Sequence, residues 1–241
     1  MGIDFVILWV DGNDPKWQSE KAKYDSNVKN DSNSASRYRD WGLLPFWFRG
    51  VDKFTPWVNK IHFVTWGHIP EFLNLNNPKL NIVKHTDFIP AEYLPTFSSH
   101  AIEMNIHRIP GLSEKFVYFN DDMFIIRNMT EQAFFSQGLP CTYGGEVPMA
   151  FKGDTGIWQH AAVNGMGVIN DHFNKKEQVK SFKKKYINPS YRWQDNVRCF
   201  VLEKLFPDYF FGFKNLHAPG AYLKKTFEEV WEAESDLLNK T

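Results

Sequence analysis

The sequence predicts an α/β fold in which a mostly parallel sheet is flanked by helices. Two observations carry this. Four short apolar runs read as strands, and the first and last, Phe5–Val10 and Phe116–Phe119, are apolar throughout, as central strands covered on both faces must be. Helical stretches separate the runs, and alternating strand and helix is the pattern of parallel crossovers. With 43% hydrophobic and 23% charged residues over 241 positions, the chain can bury a core of that size and is not wholly disordered.

Taken in order, Phe5–Val10 opens the chain as a strand and runs into the turn formers Asp11-Gly12-Asn13-Asp14-Pro15. Residues 19–40 are polar and read as a helix running into a mobile loop. Leu43–Phe54 reads as a helix, Ile61–Thr65 and Leu80–Val83 as strands, and Ser99–Arg108 as a helix with Ser98 or Ser99 as its N-cap. The strand Phe116–Phe119 follows. Residues 175–186 form a basic amphipathic stretch with Val179, Phe182 and Tyr186 on one face. Residues 195–206 are helical up to Pro207, and 226–238 are helical again. The expectation is one α/β domain over residues 1–241, with 175–241 as a helical extension.

Lysine plus arginine equals aspartate plus glutamate, 28 each, which argues against a nucleic-acid partner. Two cysteines, Cys141 and Cys199, make neither a disulfide scaffold nor a metal pair. The N-terminal apolar run has no basic leader and is too short to span a bilayer, so a cytoplasmic protein is expected. The basic stretch 175–186 is either a solvated helix or a peripheral contact with the inner face of the membrane or an anionic glycan.

Both all-apolar strands end in acids. One runs into Asp11, Gly12 and Asn13, the other into Asn120, Asp121 and Asp122. Ligands of open α/β sheets bind beyond the carboxyl ends of the strands, so both clusters are expected to face one crevice. Adjacent carboxylates are unfavourable without a proton or cation, and Mg²⁺ (or Mn²⁺), bound by carboxylates together with substrate phosphates, fits Asn120, Asp121 and Asp122. The competing structural readings are a turn at Asp11–Pro15 and a helix cap or loop at Asn120–Asp122. At about 100° per residue, His100, Glu103 and His107 share one helical face and Ile102, Ile106 and Ile109 the opposite one. The first set is either a general base with its orienting partners or an ordinary polar face. Arg37 and Arg39 suit contact with phosphates, and Asp40 either caps the next helix or takes a nucleophile's proton. His217, Lys224 and Lys225 add a further basic group. There is no phosphate-cradling loop, dinucleotide fingerprint or nucleophile elbow.

The run Ile3-Asp4-Phe5 through Trp9-Val10-Asp11-Gly12-Asn13-Asp14-Pro15 resembles the first conserved region of the Stealth family. Arg37–Asp40, Pro56-Trp57-Val58 to Thr65, and Leu94 to Asp122 are similar to the second, and Leu216-His217-Ala218-Pro219 to Trp231 to the start of the third. The resemblance implies a nucleotide-sugar-transferase-like (GT-A-like) fold and a sugar-phosphate transferase. It implies a UDP-hexose donor, an oligosaccharide or lipid-linked glycan acceptor, and Mg²⁺. It looks nearest to the bacterial capsular and cell-surface polysaccharide members, relatives of the animal enzyme that tags lysosomal glycoproteins with N-acetylglucosamine phosphate. By position it implies that Asp40 and His107 are catalytic, that Lys224 or Lys225 lies near the donor diphosphate, and that Asn120-Asp121-Asp122 is a family motif. Because the third region is cut short at Thr241, a C-terminally truncated catalytic domain is expected, with an exposed docking face that favours a homo-oligomer. The reaction expected is transfer of hexose-1-phosphate to a glycan hydroxyl with release of UMP. A GT-A-type glycosyltransferase releasing UDP, and a glycan-binding module without catalysis, are the alternatives.

Overall fold

The computed structural model describes residues 2–24, 38, 41–150 and 157–239. Among these, one compact unit holds the chain up to Thr142 and from Ala218 onward, and a second holds Tyr143–His217.

The first unit begins with β1 (Ile3–Leu8), α1 (Pro15–Tyr24), α2 (Leu44–Phe54), β2 (Ile61–Thr65), β3 (Leu80–Lys84), α3 (His85–Phe88), α4 (Ser99–Met104) and β4 (Lys115–Phe119). A hairpin of β5 (Phe135–Ser136) and β6 (Leu139–Pro140) follows. The second unit carries α5 (Ile157–His172), α6 (Lys175–Tyr186) and α7 (Trp193–Leu205). The first unit then resumes with β7 (Gly220–Leu223), α8 (Lys224–Ala233) and α9 (Ser235–Leu238).

The main sheet runs β3-β2-β1-β4-β7; its first four strands are mutually parallel and β7 is antiparallel to β4. This is the expected α/β fold with a mostly parallel sheet between helices, in the GT-A-like arrangement. The all-apolar character of β1 has its reason here, because successive side chains point to opposite faces. Phe5 and Ile7 enter one core with Trp47, Phe63 and Phe119; Val6 enters the other with Val64, Ile106 and Phe116. Burying each such side chain contributes about 1.5–3 kcal/mol.

Several boundaries differ from expectation. β1 starts at Ile3 and ends at Leu8, leaving Trp9 and Val10 to the loop. The helix expected over 99–108 stops at Met104, and Ile106–Arg108 form a tighter 3₁₀ turn. Asn105 sits at the break, its Nδ2 donating to the carbonyl of Ala101 at 2.9 Å, a side-chain bond that competes with helix continuation. α6 covers the expected residues but kinks at Phe182, and Lys175 is buried against Glu146 at 2.9 Å instead of joining a solvated basic face. α7 starts two residues before the expected 195, and the C-terminal helix is two, broken at Glu234. No described helix is long and apolar enough to cross a membrane.

Candidate active site at the carboxyl edge of the sheet

The strand order reverses beside β1: β2 lies on one flank and β4, reached only after β3, on the other. Ligands of open α/β sheets bind at the carboxyl ends of strands flanking such a switch point. The segments that leave β1, β2 and β4 there carry Asp11–Asp14, His68 and Asn120–Asp122, and β3 runs straight into His85 of α3.

The loop after β1 is tightly built. Asp11 Oδ1 accepts the Asn13 amide at 2.9 Å. Asp14 caps α1, its Oδ1 accepting Lys16 N at 2.7 Å and Trp17 N at 3.1 Å, with Pro15 opening the helix. The bond from Trp17 N, with those from Lys16 N and His68, holds Asp14 below the usual carboxylate range. Gly12 is buried, and a Cβ there would fall 2.2 Å from the carbonyl oxygen of Tyr38. Tyr38 in turn packs on Trp17 with ring centroids 4.9 Å apart. Arg37, Arg39 and Asp40 lie outside the described residues.

His68, which the sequence reading did not single out, ties this loop to β2. Its Nε2 accepts the Asp11 amide at 2.8 Å, and its Nδ1 lies 3.3 Å from Asp14 Oδ2. Those partners assign the neutral tautomer with the proton on Nδ1. His85, also passed over, is buried at the head of α3, and burial pushes its pKa down to about 4. His85 directly follows β3 and His68 follows the end of β2 by three residues, a nearness to strand ends that is the signal that could have found them.

At the end of β4, Asp121 and Asp122 are exposed and Asn120 is half-buried. Gly50 of α2 is buried, and a Cβ there would meet the Ile125 carbonyl at 2.6 Å, so a bare backbone lets the helix support the segment after Asp122. From beneath, the Tyr118 hydroxyl contacts Asn120 Oδ1 at 2.6 Å and Glu103 Oε1 at 3.0 Å. One hydroxyl proton cannot serve two acceptors. Burial raises the Glu103 pKa, and a protonated Glu103 resolves the count by donating to Tyr118, which donates to Asn120. Burial raises the Tyr118 pKa, so the phenol keeps its proton.

The structure thus joins Glu103 to Asn120 but separates the three residues expected on one helical face. His100 is exposed, Glu103 half-buried, and His107, past the break at Asn105, is 6% exposed. Phe227 stacks on the His107 ring with centroids 5.9 Å apart, Trp231 lies 6.1 Å away, and Nδ1 has no hydrogen-bond partner among the described residues. Burial, then Arg108 and Lys224, push the His107 pKa down to about 4, keeping the ring neutral. Lys224 and Lys225 are not brought to the acidic loops. Leu223 pairs with Lys115 at the amino end of β4, and the Lys224 amide bonds to the Glu114 carbonyl, so both lysines start α8 at the far end of that strand from Asn120. His217 belongs to the second unit, exposed and with φ +41°.

Asn120, Asp121 and Asp122 offer oxygen donors only, the set a hard divalent cation prefers. No group of three or more His, Cys, Asp or Glu converges on a point among the described residues. The set therefore fits Mg²⁺ or Mn²⁺ only where substrate phosphate and water supply the other ligands, which is how Mg²⁺ is commonly held.

Residues 1–29 match the family model for Stealth protein conserved region 1 and residues 37–141 that for conserved region 2. The chain is 41% identical over 239 residues to a capsular polysaccharide phosphotransferase of Streptococcus pneumoniae, covering 99% of this chain and 71% of that protein. It is 42% identical over 244 residues to a receptor polysaccharide phosphotransferase of Streptococcus oralis, with the same coverage. An exopolysaccharide phosphotransferase of Lactiplantibacillus plantarum is 39% identical over 240 residues, covering 99% of this chain and 69% of that protein.

Proposed function

Because the chain belongs to the Stealth family, we propose that it transfers hexose-1-phosphate from a UDP-sugar to a glycan hydroxyl during assembly of a bacterial surface polysaccharide. The chain is a sugar-phosphate transferase, acting between a sugar donor and a polysaccharide acceptor. The observation that carries the finer reading is the placement of two acidic loops at the same edge of the sheet, after the adjacent parallel strands β1 and β4 and beside a topological switch point.

In this reading the acceptor oxygen attacks the β-phosphorus of the donor. The bond from that phosphorus to the bridging oxygen breaks, UMP leaves with the bonding pair, and a phosphodiester joins hexose to glycan. Such a transfer asks for positioning and charge neutralisation more than for covalent help. The loop Asp11-Gly12-Asn13 positions the nucleotide, and Arg37 and Arg39 balance the diphosphate. Asn120, Asp121 and Asp122 would hold Mg²⁺ or Mn²⁺, whose chemistry there is further neutralisation of the diphosphate. Asp40 takes the acceptor proton. It is preferred over His107 because Phe227 and Trp231 cover that imidazole. Glu103 acts through Tyr118 on Asn120, and His100 stands exposed at the head of α4.

Nucleotide product analysis tests the proposal. The protein is incubated with UDP-hexoses, Mg²⁺ and an oligosaccharide or lipid-linked acceptor. UMP release that depends on acceptor and on Asp40 is expected. Release of UDP would replace phosphotransfer by glycosyl transfer.

A further inference from the structure

In a helix packed against a soluble protein, the outward face is polar. α7 departs from this. Its inward face carries Asp195, Cys199 and Leu202, all buried. Trp193, Val197, Phe200 and Lys204 follow the spacing i, i+4, i+7, i+11 and form one line on the opposite side. Trp193 is 70% exposed, Val197 52% and Phe200 49%, and Leu205 at the end of the helix is 66% exposed. The buried side is also not an ordinary core. Asp195 accepts from the Tyr143 hydroxyl at 2.6 Å and from Lys214 at 3.0 Å, which fixes the helix with its apolar line outward.

Cations occur on this line and on the neighbouring end of α6. The Lys204 ammonium lies 5.7 Å from the centre of the Phe200 ring. The end of α6, with Lys183, Lys184 and Lys185 all exposed, is tied to the first turns of α7. Asn196 Nδ2 donates to the Asn188 carbonyl at 2.8 Å, Asn188 Nδ2 to the Lys184 carbonyl at 3.0 Å, and the Tyr191 hydroxyl to the Lys185 carbonyl at 2.8 Å. Residues 143–217 hold 11 Lys and Arg against 7 Asp and Glu, whereas the whole chain is balanced at 28 each.

From this we infer that α7 and the end of α6 form a peripheral membrane-binding face for an anionic phospholipid bilayer. Trp193, Val197 and Phe200 enter the boundary between headgroups and acyl chains, Leu205 extends the apolar surface, and the lysines meet lipid phosphates. An indole at the interface, aliphatic side chains beside it and flanking lysines are the composition of interfacial helices. Valine and leucine have no ring to stack on a sugar, which disfavours a glycan occupant. A second copy of the chain would bring like charge against like.

Flotation with vesicles of phosphatidylglycerol and phosphatidylcholine tests this surface, and it needs no donor or acceptor. The protein is expected to bind the mixed vesicles, to bind pure phosphatidylcholine much more weakly, and to be released by salt. Two variants act on separate parts of the face: Trp193→Ser with Phe200→Ser, and Lys183→Glu with Lys184→Glu and Lys185→Glu. Each is expected to weaken binding by about tenfold or more, with thermal unfolding close to that of the parent. Because the second variant changes exposed charges only, it serves even if the first folds poorly. No flotation of the parent protein, or undiminished flotation of both variants, overturns the inference. So does a face that proves, by sedimentation velocity, to join two copies without lipid, or one that binds soluble anionic glycan and not vesicles.

Discussion

Asp4 lies in β1 at the amino edge of the sheet, and the pair Asp121–Asp122 follows the adjacent parallel strand β4 at the carboxyl edge. At the amino edge every bonding position is used. Asp4 Oδ1 accepts Asn59 Nδ2 at 2.8 Å and Lys60 N at 3.2 Å; Oδ2 accepts His62 Nε2 at 3.0 Å and Ser113 N at 2.8 Å. His62 Nδ1 accepts from Asn81 in turn at 2.9 Å, so one polar chain crosses β1, β2 and β3 in the interior. At the carboxyl edge Asp121 and Asp122 face solvent next to an amide that Tyr118 holds in place. A buried acid with all its hydrogen bonds made serves the fold, whereas exposed adjacent acids at a strand end stand where a ligand arriving from solvent can meet them.

The largest expected effect falls on the exposed pair. Asp121→Ala with Asp122→Ala should lower transferase turnover by about a thousandfold, the scale of losing charge stabilisation at a phosphoryl centre. The thermal midpoint should stay near that of the parent, since neither side chain is buried. Initial rates of nucleotide release and a melting curve decide it together. A near-normal rate would remove this loop from the site.

Asp4→Ala should do the reverse. Leaving His62 and two backbone amides without their acceptor is expected to cost about 3 kcal/mol in a urea titration, with turnover per folded molecule unchanged. Burial alone would raise the Asp4 pKa, but the bonds from His62, Ser113 and Asn59 take it below the ordinary value. The stability this supplies is therefore present above the unfolded aspartate pKa and lost as pH falls through the lower folded one. Acid unfolding of Asp4→Ala should show a shallower limb there; an unchanged limb would mean that Asp4 is not its source.

Gly12→Ala ranks next. The new methyl would collide with the backbone of Tyr38, and forcing the two apart is expected to cost about 2 kcal/mol. Because the collision lies in the loop between Asp11 and Asn13, KM for the donor should rise as well. A destabilised variant with a normal KM would separate this loop from donor binding.

What the sequence disclosed divides along similar physical lines. Short apolar runs, continuous only in the first and last, announced β1 to β4, and acids placed after the all-apolar runs announced the two loops. β7 was missed because Gly220-Ala221-Tyr222-Leu223 is short and carries no clear period. Its direction matters more than its existence. Lys224 and Lys225 follow a strand that runs against β4, so they arrive at the opposite edge, and a strand's direction leaves no mark on its residues. His100, Glu103 and His107 were aligned by assuming an unbroken helix, and one asparagine bond to Ala101 ends it. Tyr118 was read only as part of an apolar strand, since its hydroxyl gains meaning from a glutamate fifteen residues earlier.

The smallest effect tests whether the interior reaches the carboxyl edge through that hydroxyl. Tyr118→Phe removes the group between Glu103 and Asn120 while keeping the ring that fills the core. Turnover is expected to fall by about tenfold, with less change in donor KM, as befits a residue that positions another. The pH profile carries the sharper signal. Burial holds the Glu103 pKa above the ordinary range, so the protonated form that donates to Tyr118 is lost as pH rises through that raised value, and the rate should decline with it. Glu103→Gln keeps a donor at every pH and should remove the decline while preserving most of the rate at low pH. If Tyr118→Phe and Glu103→Gln both retain the parent profile, Asn120 is held by its own loop and the two edges of the sheet act independently.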